Sequence, residues 1–220
     1  MKTYRYRIHL VVLVLLTVQP LSGRSIDPVP ASSRDLQTLL TSPEVIELST
    51  ARDGLRPQST LAIYGDVHGV YPVPRSAFLA VLENIDAYHE FVPNMAESEL
   101  VRQISVGEAL HRTLLRFRVV FFRAEFDTVS RTRIEELGPT STAVYIAFEE
   151  SRDGRISHMA GSWFLETVFL GGREHTYVRY RLWTEYADPI VGQAQATRSF
   201  GPRQLGDLLN AYGERVQDTL

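Results

Sequence analysis

The most specific part of this sequence is VPRSAFLAVLENIDAYHEFVPNM, residues 73–95. Its first part predicts a helix over 75–83, because apolar residues three and four apart lie on one face of a helix. The residues on that face are Phe78, Leu79 and Leu82. A shorter helix is predicted at about 85–91, and it ends before Pro93, since proline is disfavoured inside helices.

Extended segments lie on both sides of this helix pair. One strand is predicted at about 60–71, and six more follow residue 95 with no helix between them. Their approximate ranges are 97–106, 109–121, 124–137, 142–150, 156–170 and 175–186. Short turns join them, so they must be antiparallel, because a parallel connection needs a crossover of about a dozen residues or more.

A final helix is predicted at about 202–218, after a run of small residues. Its apolar stripe consists of Leu205, Leu208, Leu209, Tyr212 and Val216. The predicted fold class is α+β: a seven-stranded antiparallel sheet that buries one face against the long C-terminal helix, with two short helices after the first strand.

Alternation along the strands predicts the character of the buried face. On segment 109–121 the inward residues are Leu115, Phe117, Val119 and Phe121, opposite Arg112, Arg116 and Arg118. On segment 124–137 they are Phe126, Thr128, Ser130, Thr132 and Ile134. Buried hydroxyls need partners, which a ligand in a cavity can supply. Threonine and serine also occur in strands of solid cores, so spacing alone leaves cavity and filled core both open.

Two motifs carry a family resemblance. The first consists of Pro74, Leu82, Asn84, Tyr88, Phe91 and Pro93. The second is Gly-Ser-Trp-Phe-Leu-Glu at 161–166. Together with the order of elements, they resemble the START-like superfamily in its coenzyme-Q-binding and polyketide-cyclase branch, over about 59–219. The resemblance implies a helix-grip fold with a deep pocket between the sheet and the last helix.

The strand faces and this resemblance together predict a hydrophobic or amphipathic small-molecule ligand, such as a lipid, an isoprenoid or a quinone. The predicted ligand-binding residues are Tyr88, Phe91, Phe117, Val119, Phe126, Thr128, Ser130, Thr132, Trp163, Leu165, Tyr180, Leu182, Leu208 and Tyr212. No cofactor, no metal ligand and no catalytic residue is predicted.

The N-terminus has the order of a secretory signal: basic residues at 2–7, an apolar run at 8–18 and small residues near position 25. The apolar run is shorter than the roughly 20 residues of a membrane-spanning helix. We therefore expect a signal peptide over 1–25 and export to the periplasm or the cell exterior, with an uncleaved membrane anchor as the alternative. Members of the superfamily are usually intracellular, so this N-terminus departs from their common pattern.

The remaining chain divides into a lead-in at 26–58 and a ligand-binding domain at 59–220. In the lead-in, Ser32 and Asp35 resemble a capping box before a short helix, and 45–49 has the pattern of a short strand. The domain start is expected near Ser59.

Composition excludes several classes of protein. The 220 residues include no cysteine, which excludes disulfides, thiolate nucleophiles and cysteine-bound zinc. The net charge is −3, and Lys2 is the only lysine. This modestly acidic balance argues against a nucleic-acid partner, whose phosphates need clustered Lys or Arg. Membrane proximity stays open, and no protein partner is identified.

Catalytic motifs are absent from the sequence. No histidine pair has helical zinc-ligand spacing, and there is no Gly-x-Ser-x-Gly or glycine-rich phosphate loop. His68 and Asp66 share one face of a strand, where a carboxylate can orient an imidazole, but such a pair is more often a solvated edge or a strand-end hydrogen bond. His89 falls near the presumed pocket mouth. Glu149, Glu150 and Glu185 read as surface charges.

Three functions stay open at this point. The first is noncatalytic carriage of a hydrophobic ligand. The second is an interaction module with a closed core, docking through the arginine-rich strand and Trp183. The third is a cyclase or dehydrase that uses the same cavity.

Overall fold

A computed structural model describes residues 26–31, 36–53, 55–56, 59–119 and 122–220, with only the backbone given at Arg118, Val119 and Phe122. The segment predicted as a signal peptide, and the predicted capping residues Ser32 and Asp35, lie outside this part of the chain. Both stay predictions.

The described residues form one antiparallel sheet of eight strands. The strands are β1 Glu44–Arg52, β2 Leu61–Tyr71, β3 Met95–Ser105, β4 Glu108–Val119, β5 Phe122–Gly138, β6 Ser141–Ser151, β7 Ile156–Leu170 and β8 Arg173–Tyr186. Their order in space is β1-β2-β8-β7-β6-β5-β4-β3. Strands that follow each other in the chain are neighbours in the sheet, except for β2 and β3, because β2 lies between β1 and β8.

In the described part of the chain, four α-helices accompany the sheet: α1 Leu36–Leu39, α2 Arg75–Glu83, α3 Tyr88–Phe91 and α4 Gln193–Asp218, with a 3-10 turn at Ile85–Ala87. The pair α2 and α3 carries the chain from β2, beside one edge of the sheet, to β3 at the opposite edge. Residues 73–95 therefore make the single long crossing between the two sides of the fold. The α+β, helix-grip prediction is confirmed in this arrangement.

The strand count differs from the predicted seven. The additional strand β1 comes from the lead-in and pairs with β2 from Arg52↔Leu61 to Glu44↔His68. The short strand predicted at 45–49 is thus longer than expected and belongs to the sheet itself. Pairing with β2 covers an edge that would otherwise expose its backbone N–H and C=O groups.

Helix α4 starts at Gln193, nine residues before the predicted start at Pro202. Gly192 begins it with a φ of 83°, a left-handed conformation that glycine adopts without steric cost. A Cβ atom on Gly201 would lie 2.6 Å from Leu48 Cδ2, so glycine permits the close approach of α4 to β1. Tertiary packing of this kind overrides the reading of Pro202 as a helix start.

The two faces of the sheet are covered by different parts of the chain. The inner face packs against α2 and α4 through a cluster that includes Val67, Phe78, Leu165, Leu209 and Val216. The outer face is covered by the lead-in. There, Leu36 and Leu39 of α1 contact the cluster of Val70, Phe164 and Tyr177.

Candidate ligand cavity

A cavity of about 340 Å³ lies between the inner face of the sheet and α4. All eight strands contribute to its wall, and α4 contributes nine residues from Gln193 to Tyr212. The volume is near the lower end of the range for small-molecule pockets, about 300–1,000 Å³. The space is therefore sufficient for one small organic molecule.

The wall is apolar and aromatic, and none of its described residues is Asp, Glu, Lys or Arg. An aromatic group closes one end: the ring centroid of Trp163 lies 4.3 Å from that of Tyr180 and 4.8 Å from that of Tyr212. Tyr88 contacts Tyr212 at 5.4 Å between ring centroids, and its hydroxyl donates to the Leu82 carbonyl at 2.5 Å. Burial raises the pKa of Tyr88, Tyr180 and Tyr212, so all three are neutral at neutral pH.

Two of the polar side chains in this wall lie opposite each other on neighbouring strands. His111 of β4 and Ser130 of β5 face each other directly in the strand register, and both line the cavity. His111 is 6% exposed and Ser130 is 1% exposed. The His111 Nδ1 and the Ser130 Oγ have no hydrogen-bond partner among the described residues. Burial lowers the pKa of His111 to about 4, so its imidazole is neutral at neutral pH.

The neighbouring threonines on the same strands are already bonded. Thr113 Oγ1 lies 3.1 Å from Thr128 Oγ1 across the β4–β5 pair. Thr132 Oγ1 donates to the Ala109 carbonyl at 3.5 Å. The unmet hydrogen-bonding capacity of this part of the wall is therefore concentrated at His111 and Ser130.

The mouth of the cavity is marked by the wall residues that reach solvent. These are Pro93 and Asn94, before β3, together with Phe200 and Gln204 on α4. The Phe200 side chain is 55% exposed, and Val191, which follows the wall residue Ile190, is 95% exposed. Apolar groups thus surround part of the entrance.

Ten of the fourteen predicted site residues line this cavity: Tyr88, Phe117, Phe126, Ser130, Thr132, Trp163, Tyr180, Leu182, Leu208 and Tyr212. Three lie outside its wall. Phe91 packs against Tyr212, Leu165 is fully buried in the core, and Thr128 is bonded to Thr113. The side chain of Val119 is outside the described part. Ligand contact by any of them stays a prediction.

His111 is the residue that the sequence reading missed. The alternation that places Leu115 and Phe117 inward also places His111 and Thr113 inward, so the signal was available in the sequence. The prediction for this strand considers only its apolar and arginine residues.

The other titratable residues singled out in the sequence lie away from the cavity wall. Asp66 and His68 are buried on the outer face rather than solvated, and His68 Nδ1 lies 3.0 Å from the Tyr177 hydroxyl. His89 Nδ1 lies 3.2 Å from Ser98 Oγ, and His89 is not part of the cavity wall.

Glu185 is 1% exposed, so it is not a surface charge. It accepts hydrogen bonds from Ser59 Oγ at 2.6 Å and Trp183 Nε1 at 2.8 Å. Burial alone would raise the pKa of Glu185, but these donors, with backbone N–H groups of Leu55 and Arg56, lower it overall.

No group of three or more His, Asp or Glu residues in the described part of the chain is arranged to hold a metal ion. Over the same residues, no helix combines the length and the apolar character needed to cross a membrane.

Solved structures share this architecture. A STAR-related lipid transfer protein from Xanthomonas axonopodis matches 77% of this chain and 98% of its own, with 16% identity and a TM-score of 0.56. Human StAR-related lipid transfer protein 5 matches 78% and 87%, with 10% identity and a TM-score of 0.60. The Zhui aromatase/cyclase from a Streptomyces species matches 71% and 94%, with 15% identity and a TM-score of 0.53.

No protein-family model and no curated protein sequence matches the chain. The structural likenesses, at these identities, establish the fold: the chain has the START-like, helix-grip fold that residues 73–95 and 161–166 indicated.

Proposed function

We propose that this protein binds a hydrophobic small molecule in the inner cavity and carries it unchanged. One observation carries the proposal: a cavity of about 340 Å³ whose described wall has no charged side chain. Affinity comes from apolar surface removed from water, about 25 cal/mol per Å² before the cost of ordering the complex. Structural neighbours named for lipid transfer support this function.

The cavity argues against the two alternative functions. A closed-core interaction module has no need of an internal space of this size. A cyclase needs a proton-transfer group whose pKa lies near the working pH. The titratable groups in the described wall are His111, with a pKa of about 4, and tyrosines whose pKa values are raised by burial. Neither kind of group suits proton transfer at neutral pH.

The proposal includes export through the N-terminal segment, which the order of basic, apolar and small residues in 1–25 supports. The exposed Val191 and Phe200 near the mouth support loading or release beside a membrane surface. An intact mass of the protein from its native host that includes residues 2–7 would contradict cleavage.

A blocked cavity tests the binding function. Leu208 lines the cavity from α4, whereas the adjacent Asp207 faces solvent. We expect Leu208→Trp to weaken binding of the neutral dye N-phenyl-1-naphthylamine at least tenfold, and Asp207→Trp to leave it unchanged. Fluorescence titration measures both, and thermal melting shows that each variant is folded. Ile146→Phe is a second, smaller obstruction from the sheet side.

Native mass spectrometry of the freshly purified protein is the complementary measurement. A bound apolar molecule that is lost in Leu208→Trp supports carriage. Empty wild-type protein that also fails to bind the dye, or equal binding by the two tryptophan variants, would overturn the proposed function.

A further inference from the structure

We propose that His111 and Ser130 form a polar subsite that recognises one uncharged oxygen, a carbonyl or a hydroxyl, on an otherwise apolar ligand. This inference depends on the proposed binding function and specifies its ligand class. It assigns a binding role to His111, which no sequence motif indicated.

The subsite is defined by two unmet hydrogen-bonding groups in one place. An unpaired buried donor or acceptor destabilises the folded state, and native proteins contain few of them. Here two occur on directly opposed residues of β4 and β5, whose Cβ atoms lie about 5 Å apart in such pairs. Both side chains belong to the cavity wall. The two polar atoms themselves are buried, so a ligand oxygen reaches them after the side chains rotate towards the cavity.

The chemistry of the two groups selects a neutral partner. A neutral imidazole has one N–H donor and one acceptor nitrogen, and a serine hydroxyl both donates and accepts. Together they can donate to a carbonyl oxygen, or donate to and accept from a hydroxyl. No cation in the described wall is present to compensate a carboxylate or phosphate, and no carboxylate to compensate an amine. Burying an uncompensated charge is strongly unfavourable.

The volume limits the size of the ligand. A dry cavity of about 150 Å³ accommodates one benzene ring. The 340 Å³ present here therefore suits a skeleton of two or three rings, or a single chain of similar volume, rather than a two-chain phospholipid. The ligand class is a neutral ketone, quinone or alcohol on an aromatic or isoprenoid skeleton.

A set of naphthalenes with one substituent each tests the subsite. The probes are 2-acetylnaphthalene, 2-naphthol, 2-ethylnaphthalene and 2-naphthoate, titrated by calorimetry at pH 7. We expect the better of the two neutral oxygen compounds to bind about threefold to tenfold more tightly than the ethyl compound, the range expected for one or two hydrogen bonds. The anionic naphthoate should bind most weakly.

Two substitutions test whether His111 and Ser130 cause the preference for an oxygen compound over the ethyl compound. Ser130→Ala and His111→Phe should each reduce the ratio of oxygen-compound to ethyl-compound affinity towards one, with little change for the ethyl compound. Thr113→Val is the matched control, because its hydroxyl lines the same cavity but is already paired with Thr128. It should keep the wild-type ratio.

The outcomes separate the two proposals. If no naphthalene binds, the proposed function fails and the subsite fails with it. If 2-ethylnaphthalene binds as tightly as the oxygen compounds, or if neither Ser130→Ala nor His111→Phe changes the ratio, the subsite is wrong while carriage stands. Tightest binding of 2-naphthoate would also overturn the subsite.

Discussion

The outer and inner faces of the sheet differ in whether the buried polar groups compared below are hydrogen-bonded. On the outer face, Arg179 makes a bidentate pair with Asp66 at 2.8–2.9 Å. Arg181 donates to the Tyr64 hydroxyl at 2.7 Å and to the Asp27 carbonyl of the lead-in at 2.6 Å. On the inner face, the His111 Nδ1 and the Ser130 Oγ have no partner among the described residues.

This difference separates groups that hold the structure together from groups that are available to a ligand. A buried network whose members are all bonded rigidifies the fold, whereas an unpaired buried group destabilises it. Where the lead-in crosses the sheet, Asp66, Arg179 and Arg181 are all hydrogen-bonded. We therefore interpret the unsatisfied pair as a functional feature rather than a packing defect.

The substitution expected to lower the free energy of unfolding most lies on the outer face of the sheet. Asp66 is 3% exposed and lies within ion-pair distance of both Arg179 and Arg181, so Asp66→Ala would leave two guanidinium groups in a buried site without their carboxylate. Breaking a buried pair in this way typically costs about 3–5 kcal/mol. We expect the free energy of unfolding, measured by urea denaturation, to fall by that amount.

Asp207→Ala is the control for this change, because Asp207 pairs with Arg203 on the exposed surface of α4. Its effect should be below about 0.5 kcal/mol, as is usual for such surface pairs. A loss of less than about 1 kcal/mol in Asp66→Ala, close to that of the control, would contradict a structural role for the outer network.

The outer network also shows where sequence reasoning stops. The sequence places Asp66 and His68 together on one face of β2, and a solvated edge is a common setting for such a pair. The structure instead buries both residues on that face. The lead-in covers it through contacts of Asp27, Ala31 and α1 with strands far along the chain. Such long-range contacts leave no periodic signal in either segment.

The inner face was more predictable, because local patterns determine most of it. The helices of 73–95, the stripe of α4 and the inward residues of β5 all follow from spacing, and they place most of the cavity wall. Two features do not follow. The first turns of α4 depend on Gly201 packing against Leu48. Whether His111 and Ser130 are paired depends on which side chains lie between them and α4.

A second prediction concerns the pH dependence of stability, because burial lowers the pKa of His111. The pKa of His111 is about 4 in the folded protein and about 6.5 in an unfolded chain. Between these values the unfolded state binds more protons, so stability is complete above about pH 6.5 and is lost as the pH falls towards 4. A difference in pKa of this size corresponds to about 3 kcal/mol.

His111→Phe isolates this contribution, because it removes the titrating group and leaves the acidic residues in place. The difference in unfolding free energy between wild type and variant should change by about 3 kcal/mol between pH 7 and pH 4 in urea denaturation series. Parallel curves for the two proteins would mean that the imidazole is solvated, which would contradict the burial of His111 on the inner face.

The smallest expected effect is also the sharpest comparison of the two faces, since it removes the same hydroxyl from each. Ser59 donates to the buried Glu185 on the outer face at 2.6 Å, so Ser59→Ala should cost about 1.5–3 kcal/mol, the usual range for a hydrogen bond to a charged group.

Ser130→Ala removes a hydroxyl with no partner among the described residues. It should leave the free energy of unfolding of the ligand-free protein within about 0.5 kcal/mol of wild type, or raise it. Equal losses in the two variants, measured by urea denaturation of delipidated protein, would show that Ser130 is held as firmly as Ser59, and the contrast between the faces would disappear.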